Sequence, residues 1–494
     1  MSLISVNNLT FGYDGSLKNI FENVSFNIDT DWKLGLIGRN GKGKTTFLKL
    51  LLGKYEYQGA ISKNVEFDYF PFEVKNKERM AIEIVNEIAP NVEDWEIIRE
   101  LNLLNTDTEV LYRSFNLLSG GEQIKILLIS LFLKGNNFLL IDEPTNHLDI
   151  ETRNNLVNYL EKKKGFILVS HDRNFLDKVV NHIIAINNTN IEIRQGNFSS
   201  WKENKDRQDN FEIMQNEKLQ KDINRLEIAS KNCAKWSNEA EKTKNKKYNS
   251  ETTIDKGYIG HKADKMMKKS KVMEQRIEKA INEKTNLLKN IEVNDTLKII
   301  PLKSNKNPLI FAHNLQIKYS KETIFNPITF EVNNGDRVAL IGKNGIGKSS
   351  ILKLILGEEL QYNGEFMVAN DLKISYVSQS TEDLKGNLRT FAYDNKINES
   401  IFKAMLVKMG LSQFDFDTNI QDMSEGQKKK VLIAKSISEQ ANIYIWDEPL
   451  NYIDILTREQ IEDAILNYNP TIIFVEHDEK FIEKVATKII NLVK

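Results

Sequence analysis

The sequence lacks the features that mark secreted and membrane proteins. Its 494 residues include one cysteine, Cys233, so no disulfide can form within the chain and a cysteine-based zinc scaffold loses support. The longest apolar runs, Ile126–Ile129 and Leu131–Leu133, are far shorter than the roughly 18 residues that a membrane helix needs. The N-terminal residues show no basic segment followed by an apolar one, which argues against export. We therefore expect a cytoplasmic protein without membrane segments.

Net charge is also small, but the charges are unevenly distributed. The whole chain carries a net charge of −1, whereas residues 231–271 contain twelve lysines and five acidic residues, a net charge of +7. Charge alone favours a solvated lysine-rich helix, and contact with a polyanion is the alternative that such asymmetry also indicates. At about 150 residues per domain, the length predicts roughly three domains.

Four motifs occur twice in the same order. The segments GRNGKGKTT (38–46), LSGGEQ (118–123), LLIDEP (139–144) and SHD (170–172) return as GKNGIGKSS, MSEGQK, YIWDEP and EHD. Each copy follows its counterpart by 304 to 306 residues. The chain is therefore a tandem duplication with an unrelated insert between the two copies.

Both copies predict an α/β fold. Short apolar runs alternate with longer helical patterns in each half, as expected for strands of a largely parallel sheet. Between the halves, residues 197–300 contain no proline and two glycines, Gly257 and Gly260. This composition predicts two long helices joined at one break. The predicted domains are an α/β domain at 1–200, a helical hairpin at 201–304 and a second α/β domain at 305–494.

A repeating apolar pattern supports an antiparallel hairpin. In its second arm, ten positions from Ile259 to Ile291 follow alternating spacings of four and three residues, with two polar interruptions. The first arm offers a looser stripe that begins with Phe211 and Met214. Helical arms of about 40 residues would extend about 60 Å, and a shorter hairpin folded onto the α/β halves is the alternative. We place the tip at about 242–260.

Both glycine-rich segments have the spacing of a phosphate-binding loop between a strand and a helix. In such loops, backbone N–H groups and the helix N-terminus face the phosphates. The lysines Lys44 and Lys348 add positive charge, and the hydroxyls of Thr45 and Ser349 are predicted to bind Mg²⁺. The predicted nucleotide-binding residues are Gly38, Arg39, Asn40, Gly41, Lys42, Gly43, Lys44, Thr45 and Thr46 in the first loop and Gly342, Lys343, Asn344, Gly345, Ile346, Gly347, Lys348, Ser349 and Ser350 in the second.

Repeated acidic pairs predict ATP hydrolysis. Asp142 and Asp447 each end an apolar run, and their carboxylates can reach a metal ion from the end of a strand. The next residues, Glu143 and Glu448, are placed to polarise an attacking water. Two pairs at matched positions predict two catalytic sites for ATP with Mg²⁺.

Matched histidines and tyrosines complete the predicted sites. His171 and His477 follow the two glutamates by 28 and 29 residues. A lone histidine is usually an ordinary surface residue, but a matched pair indicates sensors of the γ-phosphate. Tyr13 and Tyr319 precede the loop lysines by 31 and 29 residues and can stack on adenine. Ordinary strand aromatics are the alternative for the tyrosines.

Together these motifs resemble an ABC-type nucleotide-binding domain, present twice, with LSGGEQ similar to the ABC signature. The resemblance implies that two ATP molecules lie head to tail between the halves. Lys44 would then share its nucleotide with Ser424, and Lys348 with Ser119. One chain could form this arrangement as a monomer. The implied signature contacts are Ser119, Gly120, Gly121 and Glu122 in the first half and Ser424, Glu425, Gly426 and Gln427 in the second.

Two departures from the family pattern fall at one composite site. Where the family has a glutamine, the first half has Phe72, while the second half keeps Gln379, which the resemblance assigns to nucleotide and Mg²⁺. The second signature has Glu425 where the first has glycine. Under head-to-tail pairing, both Phe72 and Glu425 belong to the Lys44 site. We therefore predict two unequal ATP sites, with the usual residues around Lys348.

Two ABC domains joined by a basic helical hairpin, without membrane spans, resemble the ABC-F family of ribosome-associated ATPases. That resemblance implies that the hairpin enters the tRNA exit site of the 70S ribosome and that its tip approaches the peptidyl-transferase centre. Lysines bind phosphate without sequence preference, and tyrosines can stack on RNA bases. The predicted contacts to 23S rRNA and P-site tRNA are Lys244, Lys246, Lys247, Tyr248 and Tyr258.

Four segments, at 31–46, 197–208, 260–271 and 445–454, closely resemble antibiotic-resistance ABC-F proteins of the Vga and Lsa type. This resemblance implies protection of ribosomes against lincosamides, pleuromutilins and streptogramin A by displacement of the drug. Loop lysine and signature serine are 75 residues apart in the first half and 76 in the second. The first half therefore has no room for the extra arm of many housekeeping relatives.

Other functions share parts of the pattern. A housekeeping ABC-F translation factor is the main alternative. The ATPase subunit of a transporter would require separate membrane subunits and has no use for a basic hairpin, so we expect no membrane-domain partner. In a DNA-repair or chromosome-organising ATPase, the coiled coil interrupts a single ATPase domain, whereas here each half is complete.

Overall fold

Two compact units make up the computed structural model. It describes residues 2–13, 19–135, 137–146, 148–187, 190–244, 265, 268, 271–273, 275–280, 296–319 and 322–494. One unit combines both α/β halves, Met1–Trp201 and Asn294–Lys494, and the other is Lys202–Val293. None of the helices within the described residues is long and apolar enough to cross a membrane.

The first half is built on one six-stranded sheet with a three-stranded sheet beside it. The strand order is β5-β6-β7-β3-β8-β9 in the larger sheet, parallel except for β9, and β2-β1-β4 in the smaller antiparallel one. The elements are β1 (Leu3–Phe11), β2 (Phe21–Asp29), β3 (Lys33–Ile37), α1 (Lys44–Leu51), β4 (Gln58–Ser62), β5 (Glu66–Phe70), α2 (Ala81–Ile88), α3 (Asp94–Leu103), α4 (Gly120–Leu133), β6 (Asn137–Asp142), α5 (Ile150–Leu160), β7 (Phe166–Val169), α6 (Arg173–Val179), β8 (His182–Asn187) and β9 (Asn190–Gln195).

The second half repeats this arrangement. Its parallel sheet has the order β15-β16-β17-β13-β18, and β10 pairs with β11, β12 and β14 in an antiparallel sheet. The elements are β10 (Ile310–Tyr319), β11 (Glu322–Thr323), β12 (Ile328–Val332), β13 (Arg337–Ile341), α8 (Lys348–Ile355), β14 (Gln361–Val368), β15 (Ile374–Val377), α9 (Leu388–Asp394), α10 (Glu399–Lys408), α11 (Glu425–Ser438), β16 (Ile443–Asp447), α12 (Ile455–Tyr468), β17 (Ile472–Val475), α13 (Glu479–Val485) and β18 (Lys488–Asn491).

Strand order brings the repeated motifs to one edge of each sheet. The central strands β3 and β7 are continuous apolar runs because both of their faces are covered. In the first half, β6, β7 and β3 are neighbours, so the segments after their carboxyl ends lie side by side. These segments carry the DEP motif, the histidine and the glycine-rich loop. The predicted α/β fold with two tandem repeats is confirmed.

The described residues include one long helix of the insert and a short part of the second predicted arm. A helix, α7 (Phe198–Lys244), runs for 47 residues, and residues 275–280 of the second predicted arm are helical. Ile277, predicted to lie on the seam, is buried, whereas Met273 is 53 % exposed. The predicted tip is largely outside the described residues, as are Lys246, Lys247, Tyr248 and Tyr258; Lys244 ends α7. The antiparallel hairpin and the boundaries at 200/201 and 304/305 stay predictions.

The apolar stripe predicted for the first arm was placed wrongly at its start. Phe211 and Met214 are 61 % and 68 % exposed. The protected positions follow alternating spacings of three and four residues. They are Lys205, Asp209, Glu212, Asn216, Leu219, Ile223 and Leu226. Four of these seven residues are polar, and an ion pair of 3.0 Å joins Lys205 Nζ to Asp209 Oδ1. A search for apolar residues therefore selects the wrong face of the helix.

Candidate active site

The first glycine-rich loop curls around its own lysine. Gly43 precedes α1 with φ 94°, and a Cβ at this position would lie 2.6 Å from Ile20 Cγ2, so only glycine fits. Lys44 Nζ donates to Gly38 O at 2.8 Å and to Asn40 Oδ1 at 3.2 Å. The side chain of Lys44 is buried, and the loop therefore holds a cation beneath the backbone N–H groups that face a phosphate.

Asp142 connects the loop to the end of β6. Its Oδ2 accepts hydrogen bonds from Thr45 Oγ1 at 3.1 Å and from the hydroxyl of Tyr69 at 2.9 Å. Burial raises the pKa of Asp142, and burial next to that carboxylate also raises the pKa of Tyr69. Tyr69 was missed by the sequence analysis, because it lies on β5 outside every repeated motif.

Hydroxyl and carboxylate oxygens at this position fit Mg²⁺. The described residues contain no cluster of three or more His, Cys, Asp and Glu side chains that could hold a metal alone. Mg²⁺ commonly takes one or two protein oxygens and completes its shell with phosphate and water. At the second site, Ser349 donates to Asp447, whose Oδ1 is buried without a hydrogen-bond partner. Thr45 with Asp142, and Ser349 with Asp447, are therefore suitable ligands.

Glu143 and His171 meet at the next position along this edge. Glu143 adopts a left-handed backbone conformation with φ 50°, and its Oε1 lies 3.3 Å from His171 Nε2. Burial, together with the neighbouring Asp142, raises the pKa of Glu143 to about 8. Burial and the nearby Lys44 hold the pKa of His171 well below its usual range. The imidazole is therefore neutral at pH 7, with one ring nitrogen able to donate and one able to accept.

Residues of the second half close over the first loop. A cavity of about 430 Å³ is lined by Lys44 and Glu143 on one side and by Ser424, Glu425 and Tyr452 on the other. Ser424, which begins α11, is thus placed opposite Lys44, as head-to-tail pairing requires. The cavity also includes Tyr13, Asn40, Gly41, Gly43, Thr45, Thr46, Asp142, His171 and Gly426.

Close backbone approach holds the two halves together at this cavity. Asn40 Nδ2 donates to Tyr452 O at 2.7 Å, and the backbone N–H of Asn40 lies 3.5 Å from Asp454 Oδ2. A Cβ at Gly426 would lie 2.6 Å from Asn40 Nδ2, so this glycine allows the contact. Tyr452 and Asp454 follow the second acidic pair and were not predicted as site residues. Only the three-dimensional arrangement of the halves identifies them.

The Lys348 loop forms a second cavity of about 340 Å³. Lys348 Nζ donates to Gly342 O at 2.7 Å, and Gln379 and Glu448 lie among the lining residues. Those lining residues all belong to the second half, and Ser119 is not among them. Ser119 instead begins α4, where its hydroxyl and backbone N–H contact its own Glu122. The structure therefore brings Lys44 and Ser424 together but does not place Ser119 at the Lys348 cavity.

The first half nevertheless touches the Lys348 loop. Lys343 Nζ lies 2.7 Å from Glu151 Oε2, and the backbone N–H of Asn344 lies 3.5 Å from Asp149 Oδ2. The Asp149 contact matches that of Asp454 with Asn40 at the other cavity. Both loops are therefore approached by the aspartate that precedes a helix of the opposite half, although the two cavities differ in their lining.

Glu448 and His477 form the pair that corresponds to Glu143 and His171, with a longer distance between the two side chains. Glu448 has φ 46°, and its Oε2 accepts from Asn451 Nδ2 at 2.8 Å. His477 Nε2 lies 3.6 Å from Glu448 Oε1, and burial lowers the pKa of His477. A left-handed backbone conformation is strained at a residue other than glycine, and residues with this conformation are frequent at functional sites. Both glutamates share this strain, which holds each side chain towards its cavity.

The remaining predicted residues lie at the edges of the cavities. The hydroxyl of Tyr13 lies 2.9 Å from Thr46 Oγ1, and that of Tyr319 lies 3.1 Å from Ser350 Oγ. Both tyrosines are about half exposed, which leaves their rings accessible to a base. Phe72, in the place of the family's glutamine, is 41 % exposed and does not line the Lys44 cavity.

Two segments of the chain, residues 21–146 and 325–451, match the family model described as ABC transporter. Together they cover half of the chain, and they contain both glycine-rich loops, both signatures and both acidic pairs. The chain belongs to the ABC family. It is an ATPase with two tandem ABC domains.

Relatives of similar length share this organisation. The chain is 30 % identical to the ATP-binding protein Uup of Buchnera aphidicola, over 99 % of this chain and 80 % of Uup. It is 28 % identical to the ribosome protection protein VmlR of Bacillus subtilis, over 96 % of this chain and 84 % of VmlR. This ABC ATPase is therefore homologous to ABC-F proteins.

A solved structure has the same fold. The complex of the archaeal ribosomal stalk protein aP1 with the archaeal ribosome recycling factor aABCE1 contains a chain with a TM-score of 0.63 and 18 % identity. The alignment covers 98 % of this ABC ATPase and 87 % of that chain. At this identity the likeness concerns the fold alone.

Proposed function

We propose that this ABC-F ATPase binds the tRNA exit site of the 70S ribosome and protects it from antibiotics of the peptidyl-transferase centre. In the ATP-bound, closed form, the hairpin contacts 23S rRNA and P-site tRNA and displaces lincosamides, pleuromutilins and streptogramin A. The proposed contacts at the tip are Lys244, Lys246, Lys247, Tyr248 and Tyr258. The protein acts in the cytoplasm, as a monomer and without a membrane subunit. Homology with VmlR, itself named a ribosome protection protein, supports this proposal.

The observation that carries this proposal is the cavity lined by both Lys44 and Ser424. ATP in this cavity would contact both halves of one chain, so nucleotide binding is linked directly to closure. Loss of the γ-phosphate removes a contact that only the closed form makes, which favours opening and release. A basic insert that begins with a helix of 47 residues, α7, is a lever suited to transmit that closure to RNA.

Each site would use the same chemistry on one ATP. Glu143 and Glu448 polarise the attacking water, and His171 and His477 contact the γ-phosphate. Bound Mg²⁺ would neutralise developing charge on the phosphates, held by Thr45 and Asp142 at one site. At the other site, its ligands would be Ser349, Asp447 and Gln379.

The two sites are expected to differ in rate. Glu425 adds a carboxylate to the Lys44 cavity, and Gln379 lines only the Lys348 cavity. We expect Glu448→Gln to reduce ATP turnover by at least about tenfold more than Glu143→Gln, within the range that one general base contributes. Steady-state phosphate release from each purified variant measures this difference. Equal losses in the two variants would contradict the unequal sites.

Antibiotic susceptibility tests the resistance role. Expression in a sensitive Gram-positive host is expected to raise the inhibitory concentration of at least one lincosamide, pleuromutilin or streptogramin A. The Glu143→Gln, Glu448→Gln double variant is expected not to do so, because a complex that cannot release blocks further cycles. The readout is the minimal inhibitory concentration with and without the gene.

A housekeeping ABC-F translation factor is the second candidate. Homology with the ATP-binding protein Uup, whose name carries no resistance role, is as extensive as homology with VmlR and leaves this function open. An unchanged inhibitory concentration for every drug of the peptidyl-transferase centre would move the assignment to this function. Ribosome binding by the ATP-bound protein would persist in that case.

A further inference from the structure

Three consecutive lysines of α11 have three different partners. Lys428 Nζ pairs with Glu425 at 3.0 Å, and Lys430 Nζ pairs with Asp454 at 2.6 Å. Between them, Lys429 is 2 % exposed, and its ammonium donates to two backbone carbonyls, Ser378 O at 2.9 Å and Glu448 O at 3.2 Å. Unlike its two neighbours, Lys429 therefore directs its hydrogen bonds within the described residues to backbone carbonyls. Its ammonium joins two chain segments instead.

Both segments belong to the Lys348 site. Ser378 directly precedes Gln379, and Glu448 is the residue whose backbone is held in the left-handed region. One charged donor shared by these carbonyls fixes the distance between the Gln379 segment and Glu448. Charge-assisted hydrogen bonds are about twice as strong as neutral ones, so this bridge can hold the two segments in place relative to each other.

The first half provides an internal comparison. Ile124 occupies the position that matches Lys429 in the repeat, and it cannot donate a hydrogen bond. The first half also has Phe72 in place of Gln379, yet Glu143 has nearly the same φ as Glu448. The lysine is therefore not required for the left-handed glutamate itself. Lys429 and Gln379 occur together, and both are found only at the Lys348 site.

Burying the ammonium of Lys429 is unfavourable unless its charge takes part in stabilising interactions. Burial lowers the pKa of Lys429, while Glu476, Glu448 and Asp447 nearby counteract that effect. At the matching position in the first half, Ile124 is partly buried and packs against the apolar core, where its side chain has no charge to desolvate. A space-filling role would therefore favour an apolar side chain at position 429.

We propose that Lys429 is a positioning residue for the Lys348 site alone, holding the Gln379 segment in register with Glu448. It touches no substrate and acts through the two backbone carbonyls. The inference rests on the proposed assignment of Glu448 and Glu143 to separate sites. Its removal would displace Gln379 relative to Glu448 without emptying the phosphate-binding loop.

Two single-site backgrounds test the role of Lys429. In a Glu143→Gln background, the remaining turnover comes from the Lys348 site, and Lys429→Met is expected to lower kcat at least about tenfold, since small displacements of positioned groups have effects of this size. KM for ATP is expected to stay within about twofold, because the loop is intact. In a Glu448→Gln background, Lys429→Met is expected to change kcat by less than about twofold.

Ile124→Met is the matched control in the first half, because it exchanges apolar side chains of similar volume. It is expected to leave both backgrounds unchanged, and the thermal midpoint of each variant checks folding. An equal loss of kcat from Lys429→Met in both backgrounds, or no loss in either, would overturn the inference.

Failure of the proposed assignment of the two catalytic sites would give a different result. Glu143→Gln and Glu448→Gln would then each retain wild-type turnover before Lys429 is changed, and the inference would fall with them.

Discussion

The double variant Glu143→Gln, Glu448→Gln is expected to hydrolyse ATP at least about 100-fold more slowly than the wild type and to remain bound to ribosomes in ATP. Removing a positioned general base typically lowers the rate by 10² to 10⁴, by order of magnitude. Glutamine keeps the size of each side chain but accepts a proton poorly. The lysines, hydroxyls and aspartates that bind nucleotide are unchanged, so ATP can still close the halves without being consumed.

Sedimentation through a sucrose cushion measures the trapped complex. The double variant should be enriched in the ribosome pellet with ATP and lost from it with ADP. A matched control is the exposed pair Glu109→Gln and Glu399→Gln, one carboxylate in each half, which removes the same charge away from the cavities. Equal recovery of the double variant and the wild type with ATP would contradict the clamp mechanism.

Local motifs explain why much of the site was predictable. Lys44 and Thr45 follow β3, Asp142 ends β6, and His171 follows β7. These strands are neighbours, and parallel strands bring their carboxyl ends to one edge, so motifs far apart in sequence meet there. The fold was predictable for the same reason, because the repeat doubled each signal. The pairing of Ser424 with Lys44 came from family resemblance, and the geometry of the cavity agrees with it.

Other contacts involve atoms that leave no recognisable pattern in the sequence. Lys429 donates to backbone carbonyls, which every residue has, and Tyr69 reaches Asp142 from an edge strand. Ser119 is a different case, since the position of its helix relative to the Lys348 loop depends on how far the halves close. The stripe of α7 was misplaced because charged and amide side chains occupy four of its seven protected positions. Apolar periodicity cannot find a stripe of that kind.

A buried ion pair joins the halves away from both cavities. Glu462 on α12 is fully buried, and the guanidinium of Arg173, which begins α6, donates to both of its carboxylate oxygens. Lys484 Nζ also lies 3.0 Å from Glu462. The repeat places Val157 at the position that matches Glu462, so the same pair cannot form in the opposite direction.

Arg173→Ala is expected to lower the free energy of unfolding by about 3–5 kcal/mol, because it leaves the buried Glu462 with a single cation. For a chain of 494 residues that unfolds as one unit, that loss corresponds to a fall of about 3–5 °C in the thermal midpoint. A well-packed apolar pair often replaces a buried ion pair without loss, so Arg173→Met with Glu462→Leu should recover most of the midpoint. Calorimetry of the single and double variants measures both effects.

Arg79 offers a matched arginine whose ion pairs are exposed. It pairs with Glu83 and Glu87 on the surface of α2, and Arg79→Ala should shift the midpoint by less than about 1 °C, because such pairs contribute little in water. If Arg173→Ala shifted the midpoint no more than Arg79→Ala, the buried pair would not hold the halves together. The contrast separates loss of charge from loss of a desolvated contact. Only the second depends on the two halves being packed against each other.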